Sequence, residues 1–131
     1  MDFDFAAMCC SVMNGTLKNF EFRWKTGYQV APVMVSGGYP GAYKKGIPIA
    51  VNGKLLEGKP AKIFIAGAET GKRGGDDLLT SGGRVLACSA YGATFREAWE
   101  NAYCGISAVK FDGAFFRKDI GLPGAAESGK L

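Results

Sequence analysis

The stretch from Val35 to Gly46 constrains the fold of this chain more than any other. It reads V-S-G-G-Y-P-G-A-Y-K-K-G and directly follows an apolar segment, 28–35, that is typical of a β-strand. Glycine accepts positive φ angles and proline fixes φ at about −65°, so residues 37–41 cannot continue a strand or form a helix. The stretch therefore predicts a tight corner at a strand end. Its two tyrosines and two lysines could also bind an anion, and both interpretations stay open.

A second Ser-Gly-Gly triplet occurs at 81–83, directly before another apolar segment, 84–91. One triplet follows a predicted strand and the other precedes one, which predicts paired corners in a small β structure. The chain contains 20 glycines in 131 residues, about twice the usual share. This content favours many turns and short strands over a helical bundle.

Charge and composition exclude several classes of function. The net charge is +4, and the lysines and arginines are scattered without a run of five, so we expect no nucleic-acid partner. No apolar run approaches the roughly 18 residues of a membrane span, and no basic-then-apolar leader is visible, so we expect a cytoplasmic protein without a membrane partner. The four cysteines form no C-x-x-C motif and there is no histidine, which predicts buried reduced thiols and no metal site.

Periodicity predicts two helices and a series of short strands. Residues 3–13 carry a helical apolar stripe that ends at Asn14-Gly15. Asn52-Gly53 predicts a hairpin turn, and the glycine-rich segment 68–79 predicts a mobile loop. Segment 62–67 has the pattern of a buried strand. The predicted strands are 17–25, 28–35, 47–51, 62–67, 84–91 and 111–116.

The helix predicted at 94–109 has the strongest local signals. Thr94 and Glu97 have the spacing of a capping box, and an aromatic-rich stripe follows on one face. Gly105 within it costs about 1 kcal/mol relative to alanine, which predicts a neighbour packed very close. The predicted fold class is α+β: a small, curled, barrel-like antiparallel β structure covered by this long helix, with a short N-terminal helix.

Three short motifs bear on chemistry. Segment 66–73 approaches a phosphate-binding P-loop but has Ala66 and Arg73 at positions where that motif needs glycine and Ser/Thr. Asp76-Asp77 lacks a third ligand for a metal, so a solvated pair is the expectation. Arg117-Lys118 places two cations at a strand end, which suits a phosphate, although an ion pair with Asp119 is the alternative.

Taken together, these segments resemble the C-terminal region of the phosphoribosylamine–glycine ligases, also called glycinamide ribonucleotide synthetases. Five ordered motifs carry the resemblance, and it covers nearly the whole chain apart from the tail. They are S-G-G-Y-P-G with Y-K-K-G (36–46), I-F-I-A-G (63–67), T-S-G-G-R-V-L (80–86), A-Y-G-A-T-F-R-E-A-W-E-N-A-Y (90–103) and F-D-G-A-F-F-R-K-D-I-G (111–121).

The resemblance implies an enzyme of purine biosynthesis that joins glycine to 5-phosphoribosylamine. Its reaction uses ATP and Mg²⁺ bound upstream of this chain, with none bound here, and proceeds through an acyl phosphate of glycine. Residues 1–27 would then be the end of an ATP-grasp domain, 28–121 the C-terminal β-rich domain and 122–131 a loose tail. The implied partner is the rest of the ligase chain, without which we expect no activity.

The site residues that we predict bind substrate rather than act as catalysts. Arg117 and Lys118 are predicted to bind the phosphate of phosphoribosylamine, and Gly82, Gly83 and Arg84 are second candidates, for close backbone approach and anion contact. The sequence F-I-A-G-A at 64–68 departs from the F-H-A-G-T common in the family, so no role of that histidine or threonine carries over. This departure favours an alternative, a free-standing binding module without catalysis.

Overall fold

The computed structural model describes residues 1–71 and 77–121. Helix α1 spans Phe5–Met13 and helix α2 spans Phe95–Ser107. Two short 3₁₀ helices lie at Leu17–Asn19 and Gly53–Leu55. The strands are β1 (Tyr28–Val30), β2 (Val33–Val35), β3 (Pro48–Val51), β4 (Ala61–Ile65), β5 (Ala68–Thr70), β6 (Leu78–Thr80), β7 (Arg84–Gly92), β8 (Val109–Lys110) and β9 (Phe115–Phe116). Among the described residues, no helix is long and apolar enough to cross a membrane.

Strand β7 is the centre of a five-stranded antiparallel sheet. Strand β1 pairs with the C-terminal part of β7, and β2 pairs with its N-terminal part. Strand β4 pairs along the opposite edge of β7, and β9 adds to the outer edge of β2. The nine-residue strand β7 thus pairs with three shorter strands, which is why most of the fold is organised around residues 84–92.

The remaining strands form a second, smaller antiparallel sheet in the order β5-β6-β3-β8. Strand β6 follows the glycine-rich segment, and the Ser-Gly-Gly corner at 81–83 leads from it into β7 of the first sheet. The two sheets are antiparallel and are accompanied by two helices, so the predicted α+β class is confirmed. Over the described residues the sheets are not closed into a barrel.

The core lies between helix α2 and one face of the five-stranded sheet. Along β7, Leu86, Cys88 and Ala90 are buried at alternate positions, as expected for a strand with one covered face. Ala98, Ala102 and Ile106 of α2 are also fully buried. Val30 of β1 is buried in a cluster with Ala98 and Ala102. Another cluster extends toward the second sheet and contains Met34, Val85, Val109 and Ile49 of β3.

The signals at the start of α2 operate as the sequence predicts. The backbone N–H of Glu97 donates to Thr94 Oγ1 at 3.2 Å, and the Glu97 carboxylate accepts from the Ala93 N–H at 2.9 Å. The Glu97 N–H, which the first helical turn leaves unpaired, is thereby satisfied. The Glu97 carboxylate binds the N–H of Ala93, one residue before the N-cap, where a capping box uses the N–H of the N-cap itself. Gly105 also packs as predicted, since a Cβ placed there would lie 2.5 Å from Cys88 Sγ and 3.2 Å from Ala61 Cβ.

Several predicted elements differ in the structure. Segment 17–25 contains a 3₁₀ helix at Leu17–Asn19 and no strand, because its aromatic residues cluster with Phe3 instead of pairing with another strand. Segment 28–35 is broken into β1 and β2 at Ala31-Pro32, where proline lacks the N–H that a ladder needs. Asn52-Gly53 leads into a 3₁₀ helix rather than a hairpin, since β3 pairs with β6 and β8.

Other differences concern the segments at 62–70 and 111–116. Strand β4 is not buried: Phe64 lies on the face that the helix leaves uncovered, Ile65 is the last residue of the strand, and both are more than half exposed. The predicted loop at 68–79 contains β5 and the start of β6 at its two ends, whereas residues 72–76 lie outside the described residues. The predicted strand 111–116 contains a turn before β9. The predicted tail, 122–131, also lies outside the described residues.

The N-terminal segment lacks a core of its own. Helix α1 is capped by Asp4, whose carboxylate accepts from the N–H groups of Ala6 and Ala7 at 2.8 and 3.0 Å, yet no residue of the helix is buried. Eight of its nine residues are alanine, methionine, cysteine, valine or phenylalanine and the ninth is serine, so it is apolar on every side. A helix of this composition is normally enclosed by other polypeptide.

Replacing Gly105 with alanine tests the packing of α2 on β7. Helix propensity alone would stabilise the variant by about 1 kcal/mol. Because the new Cβ meets the buried Cys88 thiol, we expect the free energy of unfolding to fall instead, by about 1 to 3 kcal/mol in denaturant titration. Gly53→Ala, where no atom lies within 4 Å, is the control and should change it by less than about 0.5 kcal/mol. A stabilised Gly105→Ala protein would contradict this packing.

Candidate functional site

The two Ser-Gly-Gly triplets pack against each other, as predicted. The backbone N–H of Ser36 donates to the carbonyl of Gly83 at 2.8 Å, and its hydroxyl donates to the carbonyl of Gly82 at 3.0 Å. Ser36 is only 1% exposed, so both of these hydrogen bonds are shielded from water. The paired corner therefore fixes the end of β2 against the start of β7.

The glycines of this corner make room for protein atoms. A Cβ at Gly83 would overlap the ring of Tyr39, and a Cβ at Gly82 would lie 3.1 Å from the Gly67 Cα. The Gly67 carbonyl accepts the N–H groups of Ser81 and Gly82 at 2.8 and 3.0 Å. Gly82 and Gly83 were predicted to permit close approach of a substrate, and in the structure their close neighbours are Gly67 and Tyr39.

A groove of about 610 Å³ opens beside the paired corner. Its walls combine the rings of Tyr39 and Tyr43 with Val33, Phe64 and Ile65, and Arg84 lies at the same groove. Arg84 is exposed, and within residues 1–71 and 77–121 no carboxylate forms an ion pair with it. The groove thus offers a free guanidinium next to aromatic surface, a combination that suits an anionic ligand with an apolar or ring-shaped part.

Arg117 is held by Asp119. Its Nε and Nη2 atoms donate to the two carboxylate oxygens at 2.9 and 2.6 Å, and both side chains are more than half exposed. The hydrogen bond from Arg117 lowers the pKa of Asp119, and the same contact raises the pKa of Arg117. The sequence left a phosphate site and an ion pair as alternatives here, and the ion pair is present.

The segment around Arg117 is anchored to α2. The hydroxyl of Tyr103 donates to the Arg117 carbonyl at 2.7 Å and accepts from the Ile120 N–H at 3.0 Å. The backbone at 117–120 is therefore fixed while the side chains of Arg117 and Lys118 extend toward solvent. Two cations at a fixed strand end remain available to a ligand able to compete with Asp119.

The structure places the two groups of predicted site residues on either side of β2. Arg84 pairs with Val35 on one edge of β2, and Phe116, directly before Arg117, pairs with Met34 on the other. Two strand spacings, roughly 10 Å, separate their backbones. The predicted residues therefore share one region of the sheet but do not touch one another.

Comparison with known proteins places the chain in a family. A family model described as "Phosphoribosylglycinamide synthetase, C domain" matches residues 29–123. The chain belongs to this family. The sequence-based resemblance is thereby confirmed.

Relatives of this synthetase C domain share both sequence and fold. The chain is 38% identical over 117 residues to a phosphoribosylamine–glycine ligase of Chlorobaculum tepidum, a match over 89% of this chain and 27% of the relative. It is 43% identical over 100 residues to a ligase of the same name from Synechocystis, over 76% of the chain and 23% of the relative. The crystal structure of phosphoribosylamine–glycine ligase from Thermotoga maritima matches with a TM-score of 0.66 and 31% identity, over 86% of this chain and 27% of that one.

These matches also define what the chain spans. It covers about a quarter of the length of the curated relatives that it matches. The aligned part of those relatives is the region that corresponds to the C domain. Other functions carried by the remaining three quarters of each relative lie in polypeptide that has no counterpart in these 131 residues.

The structure also tests the P-loop-like segment, the potential metal ligands and the cysteines that the sequence analysis considered. Part of the P-loop-like segment, Ala68–Thr70, is strand β5, whereas Lys72, Arg73 and Asp76 lie outside the described residues. In the described ranges, no group of three or more His, Cys, Asp or Glu residues could hold a metal ion.

Of the four cysteines, which are free thiols, only Cys88 is buried. Burial raises the pKa of Cys88, and the nearby Cys104 raises it further. The expectation that all four are buried is wrong for Cys10, which is exposed.

Sequence reasoning missed the walls of the groove. Segment 62–67 was interpreted as one continuous buried run, but β4 places Phe64 on the face that α2 leaves open. Apart from Lys62, the face of Phe64 and Ala66 is as apolar as the face of Ile63 and Ile65, so alternation of polarity gives no signal of its exposure. Tyr39 and Tyr43 were noted as loop residues that could bind an anion, and both line the groove.

The ion pair predicts a pH dependence. Because pairing lowers the pKa of Asp119 in the folded state, its stabilisation is complete near neutral pH and is lost as the pH falls through that lowered pKa. A ¹³C NMR titration should give a pKa for Asp119 below the usual aspartate value, and Arg117→Gln should move it back toward that value. Arg96→Gln, which removes an exposed cation of α2 that pairs with Glu100, should leave the pKa of Asp119 unchanged. An Asp119 pKa that does not respond to Arg117→Gln would contradict the pairing.

Proposed function

We propose that this chain acts as the C-terminal domain of a phosphoribosylamine–glycine ligase, the ATP-dependent enzyme that joins glycine to 5-phosphoribosylamine in purine biosynthesis. The observation that carries the proposal is the family match over residues 29–123, together with relatives that bear this name. In this proposal the chain supplies groups that hold the sugar phosphate, and it is inactive without the rest of the ligase.

The partner in this proposal is the remaining ligase polypeptide, and residues 1–27 are the end of its ATP-grasp domain. Two observations support that division. The family model begins at residue 29, whereas a Vibrio vulnificus ligase matches 92% of the chain, so its alignment extends well before that residue. Helix α1 is also apolar on every side and buries none of its residues within this chain. Residues 28–121 then form the C-terminal domain, followed by the tail 122–131.

ATP and Mg²⁺ bind to the rest of the ligase in this proposal. The described residues of this chain do not fit them: they contain no cluster of three potential metal ligands, and Ala68–Thr70 of the P-loop-like segment is a strand. The ATP would supply the phosphate that activates the carboxylate of glycine. What remains for this chain is to position the sugar substrate and to stabilise its negative charge.

The phosphate of 5-phosphoribosylamine is proposed to bind among Arg84, Arg117 and Lys118. A guanidinium can bind two phosphate oxygens at once, and an ammonium adds charge without a fixed direction. Arg84 is free of ion pairs within the described part of the chain, whereas Arg117 would exchange Asp119 for the phosphate. Gly82 and Gly83 contribute because they lack side chains. The ring of Tyr39 can therefore lie directly against the corner, and the groove stays open next to Arg84.

Kinetics of the assembled ligase test these residues. Each charge-assisted hydrogen bond that is lost costs about 1.5 to 3 kcal/mol, so Arg84→Ala and Arg117→Ala should each raise the KM for 5-phosphoribosylamine about 10- to 100-fold. The KM for ATP should change by less than about twofold, because the nucleotide binds elsewhere. ADP release is the readout. Arg96→Ala, an exposed cation on α2, is the matched control and should change neither constant.

A different pattern would overturn the assignment of these residues. If Arg84→Ala, Arg117→Ala and Arg96→Ala have the same kinetics as the unmodified protein, the phosphate does not bind at this strand end. If the KM for ATP rises instead, the cations face the nucleotide.

One observation favours a second candidate function, a binding module without catalysis. Ile65 occupies the position where the family commonly has histidine, and it lines the groove while more than half exposed. An aliphatic side chain neither donates nor accepts a proton there. A ligase assembled with this chain that binds 5-phosphoribosylamine yet forms no product, and gains activity with Ile65→His, would support the module.

A further inference from the structure

We infer that the sheet face opposite α2 is a docking surface for the rest of the ligase polypeptide, and that the groove opens into this junction. The inference rests on the proposed function, since it takes the partner to be the remainder of a phosphoribosylamine–glycine ligase. It concerns a surface and its occupant, which the family match does not specify.

The docking surface is made of residues that the strand register aligns on one face. Val33 of β2 and Phe64 of β4 both pair with Ala87 of β7, so the three lie side by side across the sheet. Phe115 of β9 pairs with Val35, two residues from Val33, which places it on the same face. Leu86 and Cys88, on either side of Ala87, point to the covered face under α2.

The large side chains of this face are exposed in the chain as it stands. Val33 is 41% exposed, Phe64 57% and Phe115 59%. Leu86, Cys88 and Ala90, on the opposite face of the sheet, are fully buried under α2. The sheet is therefore covered on one side and uncovered on the other. Contiguous exposed apolar side chains of this kind mark surfaces that contact another polypeptide.

The charges at its edge indicate what covers it. Lys62 precedes Phe64 by two residues on β4 and so shares its face, and Arg84 lies at the groove on the adjoining edge. A second copy of this chain docked face to face would bring like charges together, which disfavours self-association. The surface fits a partner with an apolar centre and carboxylates at its margin.

Two observations identify that partner as ligase polypeptide. The chain spans about a quarter of its curated relatives, so three quarters of each relative is available to pack against it. The groove with Tyr39, Tyr43 and Arg84 is continuous with the docking surface, because Val33 and Phe64 belong to both. Polypeptide seated on this face would therefore close the groove, and the substrate phosphate would lie at the junction.

The test measures affinity between this chain and the N-terminal three quarters of a ligase from the same organism, by isothermal titration without substrate. Phe115→Asp is the principal variant because Phe115 does not line the groove, and Phe64→Asp is the second. We expect each to weaken binding at least tenfold. Val51→Asp, on β3 of the other sheet and 47% exposed, is the matched control and should change affinity less than twofold. Circular dichroism and thermal unfolding confirm that each variant is folded.

Each other outcome overturns the inference. Unmodified chain that does not bind the ligase polypeptide, or binding that Val51→Asp weakens as much as Phe115→Asp does, would show that this face is not the docking surface. A dimer of the unmodified chain that Phe115→Asp dissociates would make a second copy the occupant.

The docking inference and the proposed function fail in different ways. Product formation by the mixture that is insensitive to Phe115→Asp and Phe64→Asp would keep the ligase function and remove the docking surface. Binding that these two variants weaken, in a mixture that forms no product, would keep the docking surface and remove the ligase function.

Discussion

The contact between β7 and α2 is the constraint on which the rest of the structure depends. Strand β7 carries three neighbouring strands, and α2 can approach it closely only because residue 105 is glycine, with Cys88 directly opposite. That close approach buries Leu86, Cys88 and Ala90 on one side of the sheet. By using a single helix on a single face, the fold leaves Val33, Phe64 and Phe115 uncovered on the other.

The paired corner connects this scaffold to the candidate site. Ser36 ties the end of β2 to Gly82 and Gly83 with two shielded hydrogen bonds, and Tyr39 lies over Gly83. The start of β7 is thereby fixed, and Arg84 is presented at the groove rather than on a loop free to move. Preorganisation of this kind lowers the entropy lost when an anion binds. The glycines matter to the site because they determine where the cation and the aromatic rings lie.

How far the sequence predicts this structure depends on whether the signal is local. The Thr94 cap of α2, the close packing at Gly105 and the two Ser-Gly-Gly corners involve short patterns, and all are confirmed. The strand predicted at 17–25 was wrong because Phe20, Phe22 and Trp24 make edge-to-face contacts with Phe3, and the alternation of these aromatic residues resembles that of a strand. The hairpin predicted at Asn52-Gly53 was wrong because the strands that pair with β3, which are β6 and β8, are distant from it in sequence. The exposure of Phe64 depends on the number of helices that cover the sheet, which no local pattern encodes.

Release of ADP with glycine, 5-phosphoribosylamine and MgATP is the measurement that tests the account most directly. It would be made on this chain alone, on the N-terminal three quarters of a ligase from the same organism, and on the two mixed. The account predicts no release by either piece and release by the mixture. Turnover by this chain alone, or none by a mixture shown to associate, would contradict its role as the C-terminal domain of a working ligase.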